Sequence, residues 1–276
     1  SAEHLREAMD SVFRQSWPDW EIVFWDNCST DDSAAIAQSY GQKVRYFLAA
    51  KTVPLGAARN LAIAKAEGSL LAFLDCDDEW LSTKLEKQVM LFNANPRLGL
   101  VSTDTEMFSE KGTLSRLFES THPARGMVFR EHMTRQWSSM SSAMSRKSAL
   151  DSLGEWFDES LNVCEEADVF YRIAKTWERD HVDGPLTRWR VHGVNTTFRK
   201  FAQFADETLR ILDNHRKLYP GYDRDYPDLV EILTRWAAFQ KAVTLRREGK
   251  GAADRSLGAP AVAAPNRPLS GRASSL

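Results

Sequence analysis

The chain has 276 residues, 43% of them apolar and 27% charged, with a formal net charge of -2. That is enough apolar material for one large core or two smaller ones, and a charge balance that gives no reason to invoke nucleic acid. Three cysteines, Cys28, Cys76 and Cys164, are widely spaced and form neither a CxxC nor a zinc pattern; free thiols in a reducing, cytoplasmic compartment are expected. No apolar run approaches the roughly 20 residues that span a bilayer, and there is no secretory signal.

In chain order, residues 3–16 place Leu5, Ala8, Met9, Val12 and Phe13 at helical spacing, and Trp17-Pro18 ends that helix. Glu21 to Trp25 reads as a short strand ending at Asp26. Ser29 with Asp32 resembles a capping box that opens a helix through about Tyr40. A second strand is expected over Val44–Leu48, a turn at Pro54-Leu55-Gly56, and a helix over 57–66. Residues 69–74 form the next strand, and Asp75-Cys76-Asp77-Asp78 follows where it runs out. Ser82 is placed to cap a helix with Leu85, Val89 and Phe92 on one face, before a strand at 99–102. This alternation predicts an α/β fold with a mostly parallel sheet and helices on both faces. Beyond residue 105 the pattern changes: one good helix at 165–177, two amphipathic helices at 201–218 and 226–247, and from Gly249 an Ala/Pro/Gly/Ser/Arg tail expected to be disordered. The expected divisions are therefore 1–105, 106–198, 199–248 and 249–276.

The acidic cluster is the strongest chemical signal. In a strand, residues i and i+2 share a side, so Asp75 and Asp77 are expected to project together from the strand's carboxyl end, where open α/β sheets bind ligands. Paired carboxylates repel unless a cation or donors compensate them, and a hard divalent ion suits such oxygen ligands. The bland alternative is a capped strand end leading into a helix.

Taken together, Ser11 to Glu21, Trp25 to Asp31, Gly56 to Asn60, Phe73 to Leu81, Trp156 to Glu159, Glu165 to Asp168 and Arg190 to His192 resemble, in order, the motifs of the family-2 glycosyltransferases of the GT-A fold. The resemblance covers about residues 3–198 and implies transfer of a sugar from a nucleotide diphosphate, UDP- or dTDP-linked, to a glycan or lipid-linked acceptor in bacterial polysaccharide or lipopolysaccharide assembly. It implies Mn2+ or Mg2+ at Asp77, with Asp75 at the ribose or in the metal shell, and Asp26 at the base and ribose. It implies Glu166 as the catalytic base of an inverting reaction, where Asp is usual; the alternative is a set of acids favoured by a helix N-terminus. Asn27 stands where the family usually has Asp, and either alters base choice or only shapes its turn. Arg59 either reaches the diphosphate or is a solvated helix residue. His192 either completes the metal site or is a satisfied core or loop histidine. Trp137, Trp156, Trp177 and Trp189 either stack on an acceptor sugar or belong to the core. Family members begin with an apolar strand that this chain lacks, so a longer form is expected to be more stable and more active. The helices after residue 200 are expected to pack on the catalytic domain, with dimerisation or peripheral membrane contact as alternatives. A catalytically impaired nucleotide-sugar-binding module of the same fold is the rival reading.

Overall fold

A computed structural model describes residues 2–119, 123–135, 138–193 and 195–247. Trp137 and the tail from 249 lie outside them. The elements are α1 (Ala2–Phe13), β1 (Ile22–Asp26), α2 (Ser33–Gln38), β2 (Val44–Leu48), α3 (Leu55–Ile63), β3 (Leu70–Ala72), β4 (Glu79–Trp80), α4 (Lys84–Ala94), β5 (Leu98–Ser109), β6 (Gly112–Arg116), α5 (Phe129–Thr134), β7 (Met144–Arg146), α6 (Lys147–Asp151), α7 (Glu165–Thr176), β8 (Glu178–Arg190), α8 (Thr196–Arg199), α9 (Gln203–Leu218), α10 (Tyr222–Asp225) and α11 (Pro227–Arg247). The described residues divide into two compact units, one within 2–129 and 138–192, the other within 130–135 and 193–247. No described helix is long and apolar enough to cross a membrane.

The first unit is α/β with helices on both faces of its main sheet. Period-two alternation explains the layering. Leu71 and Leu100 point into a core with Ile63, Leu150, Phe157, Phe170 and Ile173, which brings in α3, α6 and α7. Leu70, Ala72 and Val101 point the other way, against Val12, Leu85, Val89 and Phe92 of α1 and α4. The pairing is mixed rather than mostly parallel. β1 with β2 and β5 with β8 are parallel, whereas β3–β7, β5–β7, β5–β6 and β4–β8 are antiparallel. β7, three residues that insert antiparallel between β3 and β5, accounts for two of these pairings, while β6 turns back on β5 and β4 lies antiparallel along β8. β1 and β2 form a sheet of their own.

Strand order positions the acidic cluster. β3 and β4 stand at opposite ends of the path β3-β7-β5-β8-β4. Residues 73–78 therefore cross from one side of the sheet to the other, over the end where β8 finishes.

Two expected caps are not made. Asp32 precedes α2 and Thr83 precedes α4, neither with a side-chain cap bond. Asp31 Oδ1 instead takes the Ser33 amide (3.1 Å) and hydroxyl (2.5 Å). Gln15 ties α1 to α4, donating to the Leu81 carbonyl (2.9 Å) and accepting from the Leu85 amide (3.0 Å).

In the second unit, α9 and α11 bury Phe204, Ile211, Leu212, Leu229, Leu233 and Trp236, close to the expected helices. Tyr222 donates to Met133 Sδ at 3.2 Å, and Arg130 pairs with Asp228.

Candidate active site

The chain after β3 leaves strand geometry at Phe73, and Asp75–Asp78 close a tight turn through an Asp78 N–H bond to the Asp75 carbonyl (3.1 Å). Strand alternation therefore does not set the aspartates' directions, and they diverge. Asp75 meets Arg59 Nη2 at 3.3 Å. Asp77 Oδ2 lies 3.0 Å from His192 Nε2. Asp78 points inward, 1% exposed, accepting from the Ser141 hydroxyl (2.5 Å) and the Arg190 amide (3.0 Å). Ser141 Oγ also accepts the Asp75 amide at 3.1 Å, so one hydroxyl pins both ends of the turn.

Arg190, at the end of β8, is the outer brace. Its Nε donates to the Asp77 carbonyl (3.0 Å), its Nη2 pairs with Glu79 (2.7 Å) and with Glu7, and its guanidinium lies over Phe108. His192 follows two residues later and so arrives beside Asp77.

Arg59, on α3, is not a solvated helix residue. Its side chain is 11% exposed and pairs with Glu165 as well as Asp75. Burial works against its charge; Glu165, Asp75 and Glu166 outweigh it, and its pKa is raised. Glu165 is 4% exposed, and its Oε2 has no hydrogen-bond partner among the described residues. Glu166, next to it in the first turn of α7, is half-buried and within electrostatic reach of Arg59. Asp168 faces inward and accepts from Arg172 Nε (2.8 Å); Arg172 also holds the Glu155 and Trp156 carbonyls. The loop before α7 lies against α3: Asn60 exchanges two 2.9 Å bonds with the Phe157 backbone. A Cβ on Gly56 would stand 2.4 Å from the Asp158 carbonyl oxygen, so only glycine permits that approach.

Asp26 ends β1 and is 2% exposed. It accepts the Ser29 amide and the Tyr46 hydroxyl, both at 2.7 Å. Burial works to raise its pKa, but these donors outweigh it and hold the carboxyl below the ordinary range. The same bond, aided by burial, pushes Tyr46 up to about 12. Asn27 uses both ends of its carboxamide on Val53, donating to its carbonyl (2.8 Å) and accepting its amide (3.1 Å). Cys28 takes φ +66°, a left-handed conformation more natural to glycine.

The turn concentrates negative charge. Burial, with Asp75 and Asp77, raises Asp78 well above its ordinary pKa. Asp75, about half exposed, is raised by partial desolvation and by Asp77 and Glu165 against the pull of Arg59. Burial and the flanking aspartates push the Cys76 thiol up to about 12. Among the described residues no three His, Cys, Asp or Glu side chains gather as a metal cage. Asp77 Oδ2 and His192 Nε2 stand 3.0 Å apart, at hydrogen-bond distance, and together offer one oxygen and one nitrogen donor. A mixed oxygen and nitrogen set admits Mn2+.

Trp156 and Trp177 pack against the α3/α6/α7 core. Sequence reasoning missed Ser141, whose serine-rich surroundings carry no pattern, and the role of Glu165. Arg190 stood within a recognised motif.

The sequence profile described as "Glycosyl transferase family 2" matches residues 1–153. The chain belongs to this family. Over 243 residues it is 34% identical to an uncharacterized glycosyltransferase of Rickettsia prowazekii, covering 80% of this chain and 68% of the relative. Over 90 residues it is 37% identical to the putative teichuronic acid biosynthesis glycosyltransferase TuaG of Bacillus subtilis, covering 32% of this chain and only 36% of TuaG. The chain spans 31% of the next relative, an uncharacterized glycosyltransferase of Rickettsia felis. Among solved structures, Staphylococcus aureus TarS in complex with UDP-GlcNAc superposes with TM-score 0.60 at 17% identity, over 88% of this chain and 82% of that one. Mannosyltransferase PcManGT of Pyrobaculum calidifontis, in complex with GDP-Man and Mn2+, gives TM-score 0.64 at 16% identity, over 91% and 73%. These likenesses establish the GT-A type of fold.

Proposed function

We propose that this chain is an inverting glycosyltransferase that moves a sugar from a nucleotide diphosphate, UDP- or dTDP-linked, to a hydroxyl of a glycan or lipid-linked acceptor in bacterial polysaccharide or lipopolysaccharide assembly. The observation that carries this reading is the guanidinium of Arg59, which pairs with Asp75 on the acidic turn and with Glu165 on α7. It thereby ties the expected donor end to the residue beside Glu166.

In this reading Asp26 and the turn at Asn27 frame the nucleoside, and residues 1–105 form the donor half. Residues 106–198 supply the acceptor half, with the helices of 199–248 as an extension. Asp77 and His192 would hold a divalent cation, Mn2+ or Mg2+, whose charge offsets that developing on the departing diphosphate. Glu166 accepts the proton of the acceptor hydroxyl as that oxygen attacks the anomeric carbon from the side opposite the diphosphate, inverting configuration. Three free cysteines support a cytoplasmic site of action, at the inner membrane face if the acceptor is lipid-linked.

Glu166→Gln removes the proton acceptor while keeping nearly the same shape. Turnover is expected to fall by about a hundredfold or more, with donor binding retained. Near wild-type turnover removes Glu166 from the role of base, and donor binding without transfer by the unmutated chain favours a binding module instead.

A further inference from the structure

Asn27 directly follows β1, and its carboxamide is engaged by the backbone of its own chain. The segment Ala49–Pro54 leaves β2 and leads directly into α3, and it lies along the turn at Asp26–Cys28. Five hydrogen bonds fasten the two. The Ala49 amide donates to the Asp26 carbonyl (2.9 Å), Cys28 Sγ to the Ala49 carbonyl (3.3 Å), and Thr52 Oγ1 to the Asn27 carbonyl (3.3 Å). The remaining two close a ring between the Asn27 carboxamide and the Val53 backbone, one donated and one accepted. Leu48, 63% exposed, and Leu55, 37% exposed, flank this strap at the carboxyl end of the parallel pair, the side on which such sheets take ligands. Exposed apolar side chains there suit the face of a nucleobase.

We propose that Asn27 is a positioning residue for the donor: its carboxamide holds the strap Ala49–Pro54 where it forms a wall of the nucleoside site, and it does not itself contact the nucleotide. This rests on the glycosyltransferase reading above. The chemistry of the ring explains why an amide stands here. Val53 offers one N–H and one C=O, and a carboxamide answers both. A carboxylate has only acceptors, so aspartate would set an anionic oxygen against the Val53 carbonyl. A protonated aspartic acid restores one donor and one acceptor in the same shape. The defect of Asn27→Asp is therefore reversible by acid, whereas that of Asn27→Ala is not.

The test compares the unmutated chain, Asn27→Asp and Asn27→Ala. UDP and dTDP affinities are measured calorimetrically from about pH 7.5 down to about pH 4.5, spanning the range in which a partly buried carboxyl protonates. Each variant is expressed as a ratio to the unmutated chain at the same pH. Hydrogen exchange at Val53 is followed without nucleotide, and kcat and KM for donor are measured where transfer is detected. Asn27→Asp is expected to weaken nucleotide binding about tenfold at the upper pH, raising KM with kcat nearly unchanged, and to recover toward the unmutated ratio in acid. Asn27→Ala is expected to stay weak throughout, and Val53 exchange to quicken in both variants at the upper pH. Equal, pH-independent losses in both variants would overturn the proposal in favour of direct contact with the nucleotide. Faster Val53 exchange with unchanged affinity would overturn it by separating the strap from the donor. If the unmutated chain binds no nucleotide, the donor role falls together with the glycosyltransferase reading. Unchanged Val53 exchange, by contrast, refutes the clamp alone.

Discussion

Removing the Arg59 guanidinium probes the junction between the acidic turn and α7. Arg59→Met keeps much of the aliphatic volume and deletes the charge. The two partners respond differently because their surroundings differ. Asp75 is 48% exposed and regains water, so its pair with Arg59 contributes only about 0–1 kcal/mol. Glu165 is 4% exposed and would remain as a buried carboxylate without its cation, a loss of about 3–5 kcal/mol. Against a typical total of about 5–15 kcal/mol this is a severe defect, worth a fall in Tm of about 6–20 °C at this chain length. Arg59→Met/Glu165→Gln, which replaces the stranded charge by an amide, should recover most of the loss at neutral pH. Urea denaturation of the unmutated chain and the two variants measures both effects. A loss under about 1 kcal/mol, or a double variant no more stable than Arg59→Met, would refute the reasoning.

Gly56→Ala should destabilise by about 1–3 kcal/mol and lower transfer activity, because its methyl would meet the Asp158 backbone at 2.4 Å and push α3 from the loop before α7; equal melting of variant and parent would contradict this. Lys84, fully buried, has its amine bonded to Gln88 Oε1 at 2.8 Å and set 4.1 Å from the Trp80 ring centre, and burial lowers its pKa well below 10.5. The unfolded chain then binds the extra proton between the lowered value and 10.5, so stability should rise with pH across that window. Lys84→Met should lack this rise, and denaturation curves of both proteins from neutral pH upward provide the check.

Much of the first hundred residues was legible because apolar alternation and helical spacing report burial directly. Leu70 to Leu74 alternate between the two helical layers as the sequence implied. The antiparallel pairings of β3 and β5 with β7 were not legible, since β7 is three residues, Met-Ser-Arg, that carry no strand pattern. β8 was hidden for a different reason. Its sequence is mostly polar and contains Gly184-Pro185, accommodated where the register with β5 shifts between Thr103 and Asp104. At the site, the motifs located the carboxylates but not their directions. Those depend on Ser141, Arg190 and Glu165, which lie 66, 113 and 106 residues from their partners Asp75, Asp77 and Arg59. Asn27 shows the same limit, because an amide at a turn gives no sign of which backbone it will grip.

The most direct test of the account is a calorimetric titration of UDP, dTDP and GDP, each with and without Mn2+, into this chain and into Asp77→Asn. The account predicts that UDP or dTDP binds, that binding strengthens with Mn2+, and that Asp77→Asn loses the Mn2+-dependent part by about tenfold or more. Binding indifferent to Mn2+, or an Asp77→Asn variant that responds to Mn2+ as the unmutated chain does, would contradict it.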